Sequence, residues 1–193
     1  MGLAEHLPDL AIAAALAWGA GLRAYLVILL VGLAGTLGWL ELPEHLRLLE
    51  HPLVLGASGF MTAVEFFADK LPWLDSLWDA VHSFIRIPAG AALAAAVFGD
   101  SGAALALAAA LLGGTLAAGV HFTKAGTRAA LNTSPEPFSN WTASLAEDAM
   151  VPAGLWVAVA HPAVFFVLLA VFLVAAVLLV RIVWRGLRRL LRA

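Results

Sequence analysis

DLAIAAALAWGAGLRAYLVILLVGLAGTLGW, residues 9–39, holds one arginine inside an otherwise apolar run of 31 residues. A helix that crosses a bilayer needs ~20 such residues. The run is therefore longer than one crossing requires, and the small residues of WGAG at 18–21 mark where it is expected to break. Arg23, in GLRAY, lies well inside it. A lipid-facing arginine at that depth costs ~3 kcal/mol or more. Arg23 must therefore pair with an acid or bind an anion, and Glu65, Asp69, Glu147 and Asp148 are the candidate partners.

The rest of the chain agrees that lipid is the solvent. Of 193 residues, 63% are hydrophobic and only 12% charged. Soluble domains carry about a quarter charged residues. Mean hydropathy is +0.95, and no small soluble fold has interior enough to hide so much Ala, Leu and Val. There is no cysteine, which excludes disulfides, thiolate metal sites and cysteine nucleophiles. A net charge of -2 excludes a generally basic nucleic-acid binder. The opening MGLAEHLPDL has acids and no Lys or Arg, unlike the basic start of a cleaved signal peptide. The first apolar segment is thus expected to stay as an anchor.

An all-α, polytopic membrane protein with about six segments follows: 9–39, 52–69, 75–98, 102–124, 140–160 and 162–184. The third and fifth begin polar and turn apolar only at a Pro, so each reads as either a full crossing or a re-entrant half-helix. The tail from 181 to 193, RIVWRGLRRLLRA, holds five arginines and no acid, which places it in the cytoplasm. Counting back puts Lys70, Lys124 and Arg128 inside, Asp100 and His161 outside, and the N-terminus inside. Trp39, Trp73, Trp141 and Trp184 fall at span ends, as an aromatic belt requires.

IPAGAALAAAVF (87–98) resembles VPAGLWVAVAHP (151–162). Laying LGASGFMTAVEFFADK on LGGTLAAGVHFTKAGTR brings Glu65 near His121 and Pro88 onto Pro152. The repeats would run over 52–98 and 109–162, each a helix, a polar loop and a Pro-Ala-Gly helix start. Transporters built from internal repeats carry their site at the repeat interface.

The charges form stripes. Glu65 and Asp69 are four apart and share a helix face; His121, Lys124 and Arg128 do the same at spacings of three and four. The plain structural alternative is that the acidic and basic stripes pin two helices together. The functional one is that they line a path, because ionisable residues within a membrane point to function by default. Arg86, just before Pro88, opposes the dipole of a helix starting there, whereas Glu147 and Asp148 suit theirs. The six histidines are scattered, with no metal-ligand spacing apart from a loose His45 and His51, and no metal is expected. NTSPEPFSN (132–140) reads as a turn and a helix stop.

GLRAY, E-x-x-A-D-K-x-P-x-x-D, R-x-P-A-G, H-x-x-K-A-x-x-R and N-x-S-P-E-P together resemble a family of bacterial membrane proteins with plant relatives, known as domain of unknown function 4126. The likeness runs from about residue 19 to about 160. It implies several membrane helices and a bacterial cytoplasmic-membrane location, and it supplies no reaction. The residues that it singles out are Arg23, Glu65, Asp69, Lys70, Asp75, Arg86, Lys124, Arg128, Asn132 and Ser134. Three functions compete. The first is a small transporter or channel for an ion, an anionic solute or a lipid headgroup. It would use these residues with His121, Glu147 and Asp148, and work as a dimer or larger through Gly/Ala-rich faces at 99–119. The second is an enzyme acting on a lipid or isoprenoid phosphate, with Asp69 or Asp75 as base or metal ligand; no DDxxD-like pair, HExxH or nucleophile elbow supports it. The third is a scaffold with ion-paired helices. A solvated cavity reaching Arg23 would favour transport, and a dry, fully paired cluster would favour the scaffold. Asp75 and Lys70 at headgroup depth would favour the enzyme. The sequence does not identify a cofactor.

Overall fold

The computed structural model describes residues 6–131 and 138–190, all of them helix, turn or connecting segment with no strand among them. Six α-helices follow in order: α1 (Leu7–Thr36), α2 (Pro52–Ala68), α3 (Pro72–Val97), α4 (Ala103–Leu131), α5 (Phe138–Ala160) and α6 (Pro162–Leu190), with short 3-10 turns at Glu44–Glu50 and Gly99–Ser101. Five of them, all but α2, are long and apolar enough to cross a membrane. The chain is an all-α, multi-pass membrane protein, as its composition requires. At 17 residues α2 falls in a shorter class than the sixfold count assumed.

α1 does not run straight through. Arg23 leaves the helical region, with φ -149° and ψ 75°, and the chain folds back on itself there. A Cβ placed on Gly19 would stand 2.7 Å from Val27 Cγ2, a contact no straight helix allows between residues eight apart, which are ~12 Å apart along the axis. Farther from the bend, Ile12, Ala15 and Leu16 of the first arm line one cavity with Leu30, Val31 and Ala34 of the second. α1 is therefore a helical hairpin with Arg23 at its tip, ~24 Å from its start at 1.5 Å per residue. The expected break at 18–21 falls instead at Arg23. Gly19 and Gly21 serve close approach: a Cβ on Gly21 would sit 2.6 Å from the Ala117 carbonyl oxygen of α4.

Both arms of α1 open toward one end of the bundle. Leu10 and Ala13 line a cavity with Phe98 and Leu105, and His45, just past the second arm, pairs with Asp100 at 3.2 Å. The N-terminal end of α1 thus lies with Asp100, opposite the arginine-bearing end of α6. The expectation that both termini share a side counts α1 as a crossing, whereas here the two ends of the chain lie at opposite ends of the bundle. α2 then descends along the second arm, where a Cβ placed on Gly59 would stand 3.6 Å from Leu29 Cδ1, and ends beside Arg23.

The other expected interruptions are absent. Pro88 and Pro152 lie inside continuous helices α3 and α5, not at helix starts. The polar first halves of these helices are held helical by protein partners, described below. The dipole argument for Arg86, Glu147 and Asp148 therefore does not apply, since all three sit well inside their helices. The Pro-Ala-Gly turns instead clasp the hairpin: Gly90 faces the Ala17 carbonyl oxygen and Ala117, and Gly154 faces the Trp18 ring. Trp18 in turn meets Phe165 and Phe172 of α6 edge-on. Gly113 is likewise taken up within the chain, against Ala94 and Ala17.

Candidate functional site: a charged core at the hairpin tip

A single irregular residue at the tip of α1 does two things. It aims the Arg23 guanidinium into the bundle, and it frees backbone groups that need partners at membrane depth. The Leu22 carbonyl is met by Lys124 Nζ of α4 at 3.1 Å. Arg23 reaches Asp69 at the end of α2 (2.9 Å), Asp148 of α5 (3.0 Å), and both the hydroxyl and carbonyl oxygens of Ser144 (3.0 and 3.2 Å). Glu147 stands at 3.7 Å.

A second layer closes around this one. Lys124 lies 3.1 Å from Glu147 and 3.5 Å from Asp69. Arg128 grips both oxygens of Glu147 (3.1 and 3.2 Å), one oxygen of Asp69 (3.2 Å) and the Asn140 carbonyl (3.0 Å). Such forked guanidinium–carboxylate pairs fix orientation as well as charge. Deeper along α3, Arg86 joins Glu65 of α2, Asp79 at 2.6 Å and His121 Nδ1 at 3.1 Å. His121 Nε2 faces Ser83 Oγ at 2.7 Å. Lys124 links the two layers, 3.8 Å from Asp79.

These groups are dry. Arg23, Glu65, Asp69, Asp75, Arg86, His121 and Arg128 are each 1% exposed or less. Asp79 and Lys124 are 2% and 4% exposed, and Glu147 and Asp148 show most, with side chains 13% and 24% exposed. The four described cavities are lined by other residues and are mostly apolar.

Among the described residues the core also holds more carboxyls than cations. Glu65, Asp69, Asp75, Asp79, Glu147 and Asp148 make six carboxyls against the four cations Arg23, Arg86, Lys124 and Arg128. Lys70, at the edge, leaves the carboxyls one ahead even when counted. Its ammonium donates to the Phe66 carbonyl at 2.9 Å and sits 3.0 Å over the Phe66 ring. Desolvation lowers the Lys70 pKa, with Arg23 and Arg128 adding to the effect and Asp148 and Asp69 opposing it. The net positive character that would favour an anion is thus not what the assembled core presents.

The expected stripes meet, with partners redistributed. Arg23, Asp69, Lys124, Arg128, Glu147 and Asp148 form one network; Glu65, Arg86 and His121 form the other. Asp75 is buried in the first turn of α3. Asn132 and Ser134 lie outside the described residues. Asp79, Ser83, Asn140 and Ser144 were missed. Their signal is spacing: Asp75, Asp79, His82 and Arg86 recur at four, three and four along α3, and all four are buried. Among the described residues no group of His, Asp and Glu is arranged to hold a metal ion.

Compared with known families, the chain matches the one described as "Domain of unknown function (DUF4126)" over residues 10–182. No curated protein and no solved structure matches it.

Proposed function

We propose that this chain, which belongs to the DUF4126 family, is a small ion-coupled membrane transporter in a closed state. One observation carries the reading: a re-entrant hairpin, unwound at a single residue, delivers its tip cation into a core with more carboxyls than cations. Broken helices at membrane depth accompany transport sites in proteins built this way, and buried charge of this extent is retained in membranes for a use. The surplus of carboxyls makes a proton or another small cation the coupling species. Glu147 and Asp148, the least buried of the six, are the entry to the core. The hairpin tip is the moving part, since Asp69, Asp148 and Ser144 must release Arg23 for the path to open. The likeness of 52–98 to 109–162 fits this scheme as two down-and-up helix pairs around the hairpin. The arginine-rich end of α6 is expected in the cytoplasm of a bacterial inner membrane.

Dryness supports a second reading, in which the ion pairs only pin the helices of a scaffold. Proteoliposomes loaded with a pH-sensitive dye separate the two. Imposed gradients of Na⁺, K⁺, chloride and inorganic phosphate are expected to move protons in wild type for at least one ion, and not in Asp69→Asn. Proton movement no faster than in empty liposomes for every gradient would overturn transport of these ions and favour the scaffold.

A further inference from the structure

Arg86 serves two carboxyls where water does not reach. Glu65, Arg86 and Asp79 are 0%, 0% and 2% exposed. One guanidinium neutralises one carboxylate, and two carboxylates confined together repel. The other groups facing Glu65 supply no second cation. From α1 comes Tyr25, a neutral phenol whose ring meets that of His82 edge-on at 5.6 Å. From α3 comes His82, whose Nδ1 is taken by the Trp78 carbonyl at 2.8 Å. From α4 comes His121. Because arginine only donates, its contact fixes His121 Nδ1 as an acceptor and puts the imidazole proton on Nε2, toward Ser83. His121 is therefore a neutral member of the group. Lys124 reaches Asp79 but lies nearer Glu147 and Asp69.

We infer that the Glu65–Arg86–Asp79 triad is a proton-binding site, one proton being shared by the two carboxyls and resting on Glu65. Lys124 faces Asp79 and not Glu65, so the charge belongs on Asp79. Glu65 Oε2 and Asp79 Oδ2 are both buried with no hydrogen-bond partner, and an ionised oxygen is costlier to leave so than a neutral acid; the pair thus favours one proton, and the Lys124 contact decides which carboxyl stays charged. That this proton is the coupling ion rests on the transport reading; its presence does not.

Infrared spectroscopy of the protein in lipid at neutral pH tests the site without measuring flux. A protonated carboxyl has a C=O stretch that carboxylates lack. The band is expected in wild type and in Asp148→Asn, to vanish in Glu65→Gln, and to shift when glutamate but not aspartate carries ¹³C. The Tm of Glu65→Gln should match wild type, since glutamine replaces a neutral acid. The isotope experiment needs no variant and decides the matter if Glu65→Gln fails to fold. Absence of the band from wild type, or a band that follows labelled aspartate, would overturn the inference. A band on Glu65 with no flux would uphold the proton site and overturn the transport reading instead.

Discussion

α1 and α6 are similar in length and both strongly apolar, yet they live in opposite surroundings. In the most apolar stretch of α1, 67% of residues are buried; in that of α6, 6%. The buried residues of α1 are mostly Ala and Gly, with Arg23 among them, while α6 turns Val167, Leu168, Val171 and Val174 outward. In lipid, large apolar side chains gain nothing from hiding, so packing selects small residues that let backbones close up. Hydropathy thus identifies both helices as membrane material, and side-chain size tells which is the core.

Substitutions that swap these characters should separate the two helices. Arg23→Met leaves Asp69 and Asp148 without their guanidinium, and removing one member of a buried pair costs about 3–5 kcal/mol; a chemical unfolding curve in mixed micelles would register it, and proton-coupled flux should be lost with it. Next comes Gly21→Leu, which drives a side chain into the Ala117 carbonyl and Val120, expected to cost about 1–3 kcal/mol. Smallest is Val171→Ala on the lipid face of α6, expected within about 0.5 kcal/mol. Equal costs for Gly21→Leu and Val171→Ala would erase the contrast between the helices.

Much of this was legible beforehand, and for identifiable reasons. The need of Arg23 for an acid follows from its depth alone, and three of its four named candidates stand within 4 Å of it; Glu65 went to Arg86 instead. The stripes at 65/69 and 121/124/128 followed from helical spacing. The stripe on α3 has the same spacing but reads as the polar start of either a full crossing or a half-helix, because Pro88 draws the boundary. Pro152 did the same for Ser144 on α5. In both helices the lost backbone bond is tolerated within a packed bundle, which a local rule about proline does not register. The hairpin was the least legible feature. Its arms are equally good helix formers, the turn needs one residue, and what holds it folded is contact between residues far apart in sequence. The side assigned to the N-terminus depends on it directly, because that count takes α1 as a crossing.

The hairpin is also the most direct thing to test, and the absence of cysteine from the chain makes the test clean. Single cysteines at His6, Gly38 and Arg185, in separate variants reconstituted in one orientation, would be exposed to a membrane-impermeant maleimide from each side. A re-entrant α1 predicts that His6→Cys and Gly38→Cys label from the same side and Arg185→Cys from the other. Labelling of His6→Cys and Gly38→Cys from opposite sides would make α1 a crossing helix and contradict the placement of Arg23 at a hairpin tip.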